Sequence, residues 1–138
     1  MRIYLDSSAL LRLILREPGG LTEIRSSKTL VASELIAVES YRTLDRLRLM
    51  GSLSTDEAAV RGTAVAGWLE ACDLVLLRPA VLARAGEPLP TPLGTLDAIH
   101  LASARIWRDR AGESLTVATH DVALATAARA FKFEVIGV

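Results

Sequence analysis

Arg2-Ile3-Tyr4-Leu5-Asp6-Ser7-Ser8-Ala9-Leu10-Leu11 opens the chain. Four β-favouring, mostly apolar residues run into an acid, and Leu10, Leu11, Ile14 and Leu15 then fall at helical spacing. This predicts a short strand, a carboxylate at its end, and a helix from Ser7 to Glu17 that Pro18-Gly19-Gly20 stops.

The same alternation continues downstream. Leu30-Val31-Ala32 reads as a second strand, and Ser33 suits an N-cap for a long helix running toward Met50, with Gly51 as its stop. Ser54 and Glu57 form a capping-box pattern that opens a helix to about Cys72. Leu74 to Leu77 is strand-like, Ala80 to Ala85 is a short helix, and Gly86 to Gly94, with three prolines, is a loop. Thr95 then opens a helix from Leu96 to about Ala111. Leu115 to Thr119 is a strand, Val122 to Phe131 a helix and Glu134 to Ile136 a last strand. Apolar strands alternating with helices predict one α/β domain over residues 1–138, a central, mostly parallel sheet covered by helices on both faces. No internal repeat or domain boundary interrupts it.

Composition narrows the function classes. With 138 residues and 51% hydrophobic residues, the chain can bury a core without staples and is not of the disordered class. No apolar run is long enough to cross a bilayer. Met1 leads straight into the first strand, which leaves no room for a signal peptide. A single cysteine, Cys72, excludes an intrachain disulfide, and together these features predict a cytoplasmic setting. Formal net charge is zero, but the 16 basic residues comprise 14 Arg and only Lys28 and Lys132. Arg is the better bidentate phosphate ligand. If four acids were committed to metal ions, the rest of the chain would carry four positive charges in excess. A GC-rich coding bias accounts for Arg abundance equally well.

Four acids stand where a core would not want them. Asp6 and Asp121 follow strand ends, which is where open α/β sheets bind ligands. Asp97 lies in the first turn of its helix, and Glu39 borders the apolar stripe of Ile36, Leu44 and Leu47. Each also has an ordinary role available. Asp6 and Asp121 can cap helices, Asp97 can favour a helix N-terminus, and Glu39 can be solvated. As a set, converging carboxylates repel one another and must protonate or bind a cation. All-oxygen donors favour Mg²⁺, with Mn²⁺ possible, over zinc, and His100 and His120 form no zinc set with lone Cys72. Such a cluster suits phosphodiester hydrolysis.

Four segments resemble those of PIN-domain nucleases, and in particular the VapC-type toxins of bacterial toxin–antitoxin pairs. They are Met1 to Leu10, Ser33 to Arg42, Thr95-Leu-Asp97-Ala-Ile-His100-Leu-Ala-Ser-Ala104, and Val117-Ala-Thr119-His-Asp121 with Ala123-Leu124-Ala125. They occur in family order and span the chain nearly end to end. The resemblance implies a PIN fold, a divalent-metal site, endonucleolytic cleavage of an RNA substrate, a cognate antitoxin protein and a toxin homodimer. It carries over Asp6, Glu39, Asp97 and Asp121 as metal ligands, Thr119 as a hydroxyl orienting metal or water, and Ser8 as a further hydroxyl. Glu34 competes with Glu39 for the second acid. The resemblance also makes the helix pair between Ser33 and Cys72 a candidate antitoxin groove, although plain packing explains the same pattern.

Three positions depart from the family pattern. Ser8 stands where many relatives have Asn, Gly94 where many have Arg, and Lys132 where Gly often follows the helix. The last predicts an altered local turn. Among the other polar and aromatic residues, His100 reads as helix packing and His120 as exposed loop. Trp68 and Trp107 read as core or interface, and Arg42, Arg46, Arg105 and Arg108 as solvated faces. Two other function classes stay open. One is a catalytically silent PIN-like module binding RNA or protein. The other is a phospho-acceptor α/β protein, which would require a lysine near the acids.

Overall fold

The Arg2–Leu5 segment is the middle of a five-stranded sheet. In the computed structural model, which describes residues 1–138, β1 (Arg2–Leu5) pairs with β2 (Thr29–Ser33) on one side and β4 (Thr116–Ala118) on the other. β3 (Cys72–Val75) and β5 (Glu134–Ile136) form the edges, the order is β3-β2-β1-β4-β5, and every pairing is parallel. The helices are α1 (Ser7–Ile14), α2 (Leu35–Leu49), α3 (Thr55–Glu70), α4 (Pro79–Ala85), α5 (Thr95–Ala111) and α6 (Val122–Ala130), with a 3₁₀ turn over Thr22–Ser26.

Period-two alternation in the central strands divides the core in two. Ile3 and Leu5, with Leu30, Ala32 and Ala118, point to the face covered by α1, α2 and α3 through Leu10, Ile14, Ile36, Leu44 and Val65. Tyr4, Val31 and Val117 point the other way, onto Leu101 and Ala104 of α5 and Leu124, Ala127 and Ala128 of α6. Both faces are covered, as the near-continuous apolar strands predict. Val81 of α4 closes a small satellite core with Ala102 and Ile106.

Several boundaries differ from the sequence reading. β3 starts at Cys72, two residues earlier than expected, because pairing of Cys72 with Leu30 and Val75 with Ser33 fixes its register. Ser33 ends β2 rather than standing at the helix N-cap, which is Glu34; the Ser33 hydroxyl still accepts the Leu35 N–H at 3.2 Å. The capping box of Ser54 and Glu57 forms as expected. α1 stops at Ile14 because the chain turns left-handed at Arg16, φ 55°. Cys72 lies half-buried in β3, and burial pushes its thiol up to about 11, which keeps it unreactive.

Lys132 corrects another expectation, since the turn after α6 is the usual one. Lys132 takes φ 64°, its N–H donates to Arg129 C=O at 3.0 Å, and the Phe133 N–H donates to Ala128 C=O at 3.1 Å. This is a Schellman closure with Lys where Gly is preferred. A left-handed non-glycine costs roughly 1–2 kcal/mol, and glycine gives back roughly 0.4–1 through unfolded-state entropy. Lys132→Gly is therefore expected to raise the melting temperature by about 2–4 °C in a calorimetric scan. A lower value would show that the lysine side chain contributes more than its backbone strain costs.

Candidate functional site

Because all strands are parallel, their carboxyl ends share one edge of the sheet. Asp6 follows β1 there, and Thr119, His120 and Asp121 follow β4. Asp6 is buried at 3% exposure, and its carboxylate is held from three sides. The Ala9 N–H donates to Oδ1 at 2.9 Å, making Asp6 the N-cap of α1. The Thr119 hydroxyl donates to Oδ2 at 2.6 Å, and the Ser8 hydroxyl is shared between both oxygens at 2.8 and 2.9 Å. Burial raises the Asp6 pKa, and the hydrogen bonds from Thr119, Ala9 and Ser8 partly oppose that.

Thr119 and Ser8 tie the β4 loop to Asp6. Thr119 Oγ1 accepts the Asp121 N–H at 3.0 Å, and Ser8 Oγ accepts the His120 N–H at 2.9 Å. The Ser8 proton is spent on Asp6, so here the hydroxyl serves to hold that carboxylate. Asp121 caps α6 through the Leu124 N–H at 2.8 Å. The capping roles open to Asp6 and Asp121 are thus both realised, at the ligand-binding edge of the sheet.

Asp97 lies in the first turn of α5. Its pKa is raised, first by burial and then by the charges of Asp121, Asp6 and Glu39, while His100 lowers it. Asp97 therefore lies within electrostatic reach of the other three acids. None of Asp6, Asp97 and Asp121 is ion-paired, and Glu39 has no basic partner other than the His100 imidazole. Glu34 is not part of this group. Its carboxylate accepts the Leu77 N–H at 2.7 Å and so joins the ends of β2 and β3.

His100 is more than helix packing. It is 1% exposed, with Nδ1 2.8 Å from the Tyr4 hydroxyl and Nε2 2.5 Å from Glu39 Oε1. The spacing of His100 three residues after Asp97 on one helix face was its only signal in the sequence. His120 is not the exposed loop residue expected: Nδ1 donates to Gly137 C=O at 2.9 Å, and Nε2 is buried without a partner. Arg105 and Arg108 stack on Phe131 and Phe133, at the end of α5 away from Asp97. Lys28 and Lys132 precede β2 and β5, at the amino ends of the strands, which removes the lysine that a phospho-acceptor site requires.

The donor set is of the kind that suits a hard divalent cation: four carboxylates, no thiolate, and no Arg or Lys paired with them. No three of these groups form a ready-made chelate. The acids also lie outside the main surface hollows. A mostly apolar hollow of about 530 Å³ lies between β3 and α5 around Val75, Ile106 and Trp107.

Residues 3–130 match the PIN domain family. The chain is 36% identical to Ribonuclease VapC46 of Mycobacterium tuberculosis (strain ATCC 25618 / H37Rv), over 97% of this chain and 95% of that one. Similar solved folds include VapBC2 from Rickettsia felis bound to a DNA fragment from their promoter, at TM-score 0.63, 13% identity and coverage of 98% and 97%. A toxin-antitoxin complex from Klebsiella pneumoniae aligns at TM-score 0.63, 14% identity and 86% of each chain. PAE2754 from Pyrobaculum aerophilum aligns at TM-score 0.62 and 19% identity, over 98% of this chain and 83% of that one.

Proposed function

This chain belongs to the PIN domain family, and on that premise we propose that it is a divalent-metal-dependent endoribonuclease, the toxin of a toxin–antitoxin pair. The observation that supports the chemistry is Asp97, its carboxyl raised by burial and by the charges of Asp121, Asp6 and Glu39, beside the carboxyl edge of a parallel sheet. The name of the 36% identical relative supports RNA as the substrate. The toxin–antitoxin titles of the structural neighbours support an antitoxin partner. Val38 and Tyr41 on α2 and Val60 on α3 are large exposed apolar residues, consistent with a helix-binding face for that partner. No helix is long and apolar enough to cross a membrane. We place the activity in the cytoplasm, with the toxin acting as a homodimer.

Asp6, Glu39, Asp97 and Asp121 would hold Mg²⁺, or Mn²⁺ in its place. A bound cation supplies Lewis acidity toward the phosphate and makes hydroxide available from water near neutral pH. Thr119 and Ser8 fix the Asp6 carboxylate and join it to the loop carrying Asp121. Asp97 receives no hydrogen bond from the chain, which leaves it the carboxylate best able to take a proton from the attacking water.

The test is cleavage of total bacterial RNA by antitoxin-free protein with Mg²⁺ or Mn²⁺, beside EDTA, with fragment ends sequenced. Discrete cuts that EDTA abolishes are the expected result. Metal binding by a folded sample without any cuts would instead favour a silent RNA- or protein-binding module.

A further inference from the structure

His100 lies beneath the acidic edge, linked on one side to the central strand and on the other to Glu39. Tyr4 Oη is buried in β1 and accepts the Ser33 N–H at 3.2 Å. The hydroxyl also has one proton of its own to donate. With the Ser33 N–H already donated to Oη, that proton points to His100 Nδ1 at 2.8 Å. Nε2 on the other side of the ring donates to Glu39 Oε1 at 2.5 Å. The ring is thus fixed at both nitrogens, and both bonds span long stretches of sequence, 96 and 61 residues.

Glu39 needs such a support more than the other acids do. Asp6 and Asp121 are anchored by helix caps and Asp97 is a short side chain in the first turn of α5, whereas Glu39 has a longer side chain within α2. Its only side-chain partner is His100. We propose that His100, oriented by the Tyr4 hydroxyl, is a positioning residue that holds one oxygen of Glu39 and leaves the other free to ligate the cation. This rests on the metal-site reading given above. Partners of this kind orient ligating side chains, and losing one typically costs ~10–100-fold in metal affinity.

The test is Mn²⁺ affinity of the purified chain by electron paramagnetic resonance titration, with melting in EDTA as a control for folding. His100→Asn keeps a polar group facing Tyr4 but does not reach Glu39, whereas His100→Gln carries its amide about as far as Nε2. The expected result is a ~10–100-fold weaker Kd for His100→Asn, recovery to within about threefold for His100→Gln, and little further effect of His100→Asn in a Glu39→Gln background. Unchanged Mn²⁺ affinity in folded His100→Asn overturns the proposal. So does a full loss that persists when Glu39 is already Gln, since that marks a purely structural histidine. If His100→Asn fails to fold, Tyr4→Phe serves. Removing the phenolic proton should weaken Mn²⁺ measurably, and an unchanged Kd overturns the proposal. A wild-type chain that binds no Mn²⁺ would instead sink the metal-site reading itself.

Discussion

Asp97→Asn is expected to abolish cleavage while making the ion-free protein more stable. The carboxylate is half-buried and faces Asp121, Asp6 and Glu39, so its pKa in the folded chain lies above the ordinary value. A folded chain that binds this proton more tightly than the unfolded chain loses stability as pH rises from the ordinary carboxylate pKa through the raised one. Above that window the whole cost of ionising Asp97 is present. At pH 7.5 in EDTA the asparagine variant escapes it, and solvent screening at a half-exposed site limits the gain to about 1–3 °C. Below the ordinary carboxylate pKa, where Asp97 is protonated in the folded and unfolded chain alike, the two melting curves should converge. Adding Mn²⁺ should reverse the order, because a ligand that binds only the folded state stabilises according to its concentration over Kd, and the variant lacks one carboxylate. Cleavage should fall by at least ~100-fold, the upper end of what losing a mere ligand-orienting partner costs. Wild-type cleavage by the variant, or a lower melting point in EDTA at pH 7.5, would remove Asp97 from the site.

The same reasoning explains why the acids stood out in the sequence. A carboxylate just past an apolar strand is conspicuous because hydrophobic periodicity locates the strand end, and a parallel α/β sheet places strand ends together. Asp6 and Asp121 could be placed that way, and Asp97 and Glu39 could be placed relative to the apolar stripes of their helices. Local pattern says nothing of partners distant in sequence. The Tyr4–His100 bond joins residues 96 apart, and no periodicity in β1 or α5 announces it. Strand order is similarly hidden. The alternation implies a parallel sheet, but β1 lies between β2 and β4 because Ile3 pairs with Leu30 and Thr116, which only the folded chain reveals. β3 began earlier than its apolar run because backbone pairing outweighed side-chain hydrophobicity at Cys72 and Asp73. Glu34 and Glu39, five residues apart on one segment, found different partners for a comparable reason: Glu34 lies where the ends of β2 and β3 need a bond, and Glu39 meets His100.

Gly137 gave no signal in the sequence, yet Gly137→Ala should disturb the acidic edge. Its φ is 109°, and a Cβ there would stand 2.2 Å from the Thr119 carbonyl oxygen and 3.0 Å from the carbonyl carbon. Both are backbone atoms, so no rotamer change relieves the overlap. Either Thr119 moves or the segment after β5 lifts. Lifting forfeits the bonds from His120 Nδ1 to Gly137 C=O and from Arg129 to Val138 C=O, each worth about 0.5–1.5 kcal/mol. Moving Thr119 is costlier, because its hydroxyl bridges Asp6 and the Asp121 N–H and the residue is fully buried. The segment should therefore lift, with a stability loss of about 1–3 kcal/mol by denaturant titration. The Thr119 N–H, which donates to Ile136 C=O at 3.1 Å, should exchange faster while β1 amides stay protected. Cleavage should fall by roughly tenfold or more, since the His120–Asp121 loop loses a support and misplacement by about 1 Å near a reacting group can cost ~100-fold. Stability and exchange equal to wild type would show that the close approach of Gly137 to Thr119 constrains nothing. A loss well beyond the strength of those bonds, with β1 amides exposed as well, would show that the strain had entered Thr119 and the sheet.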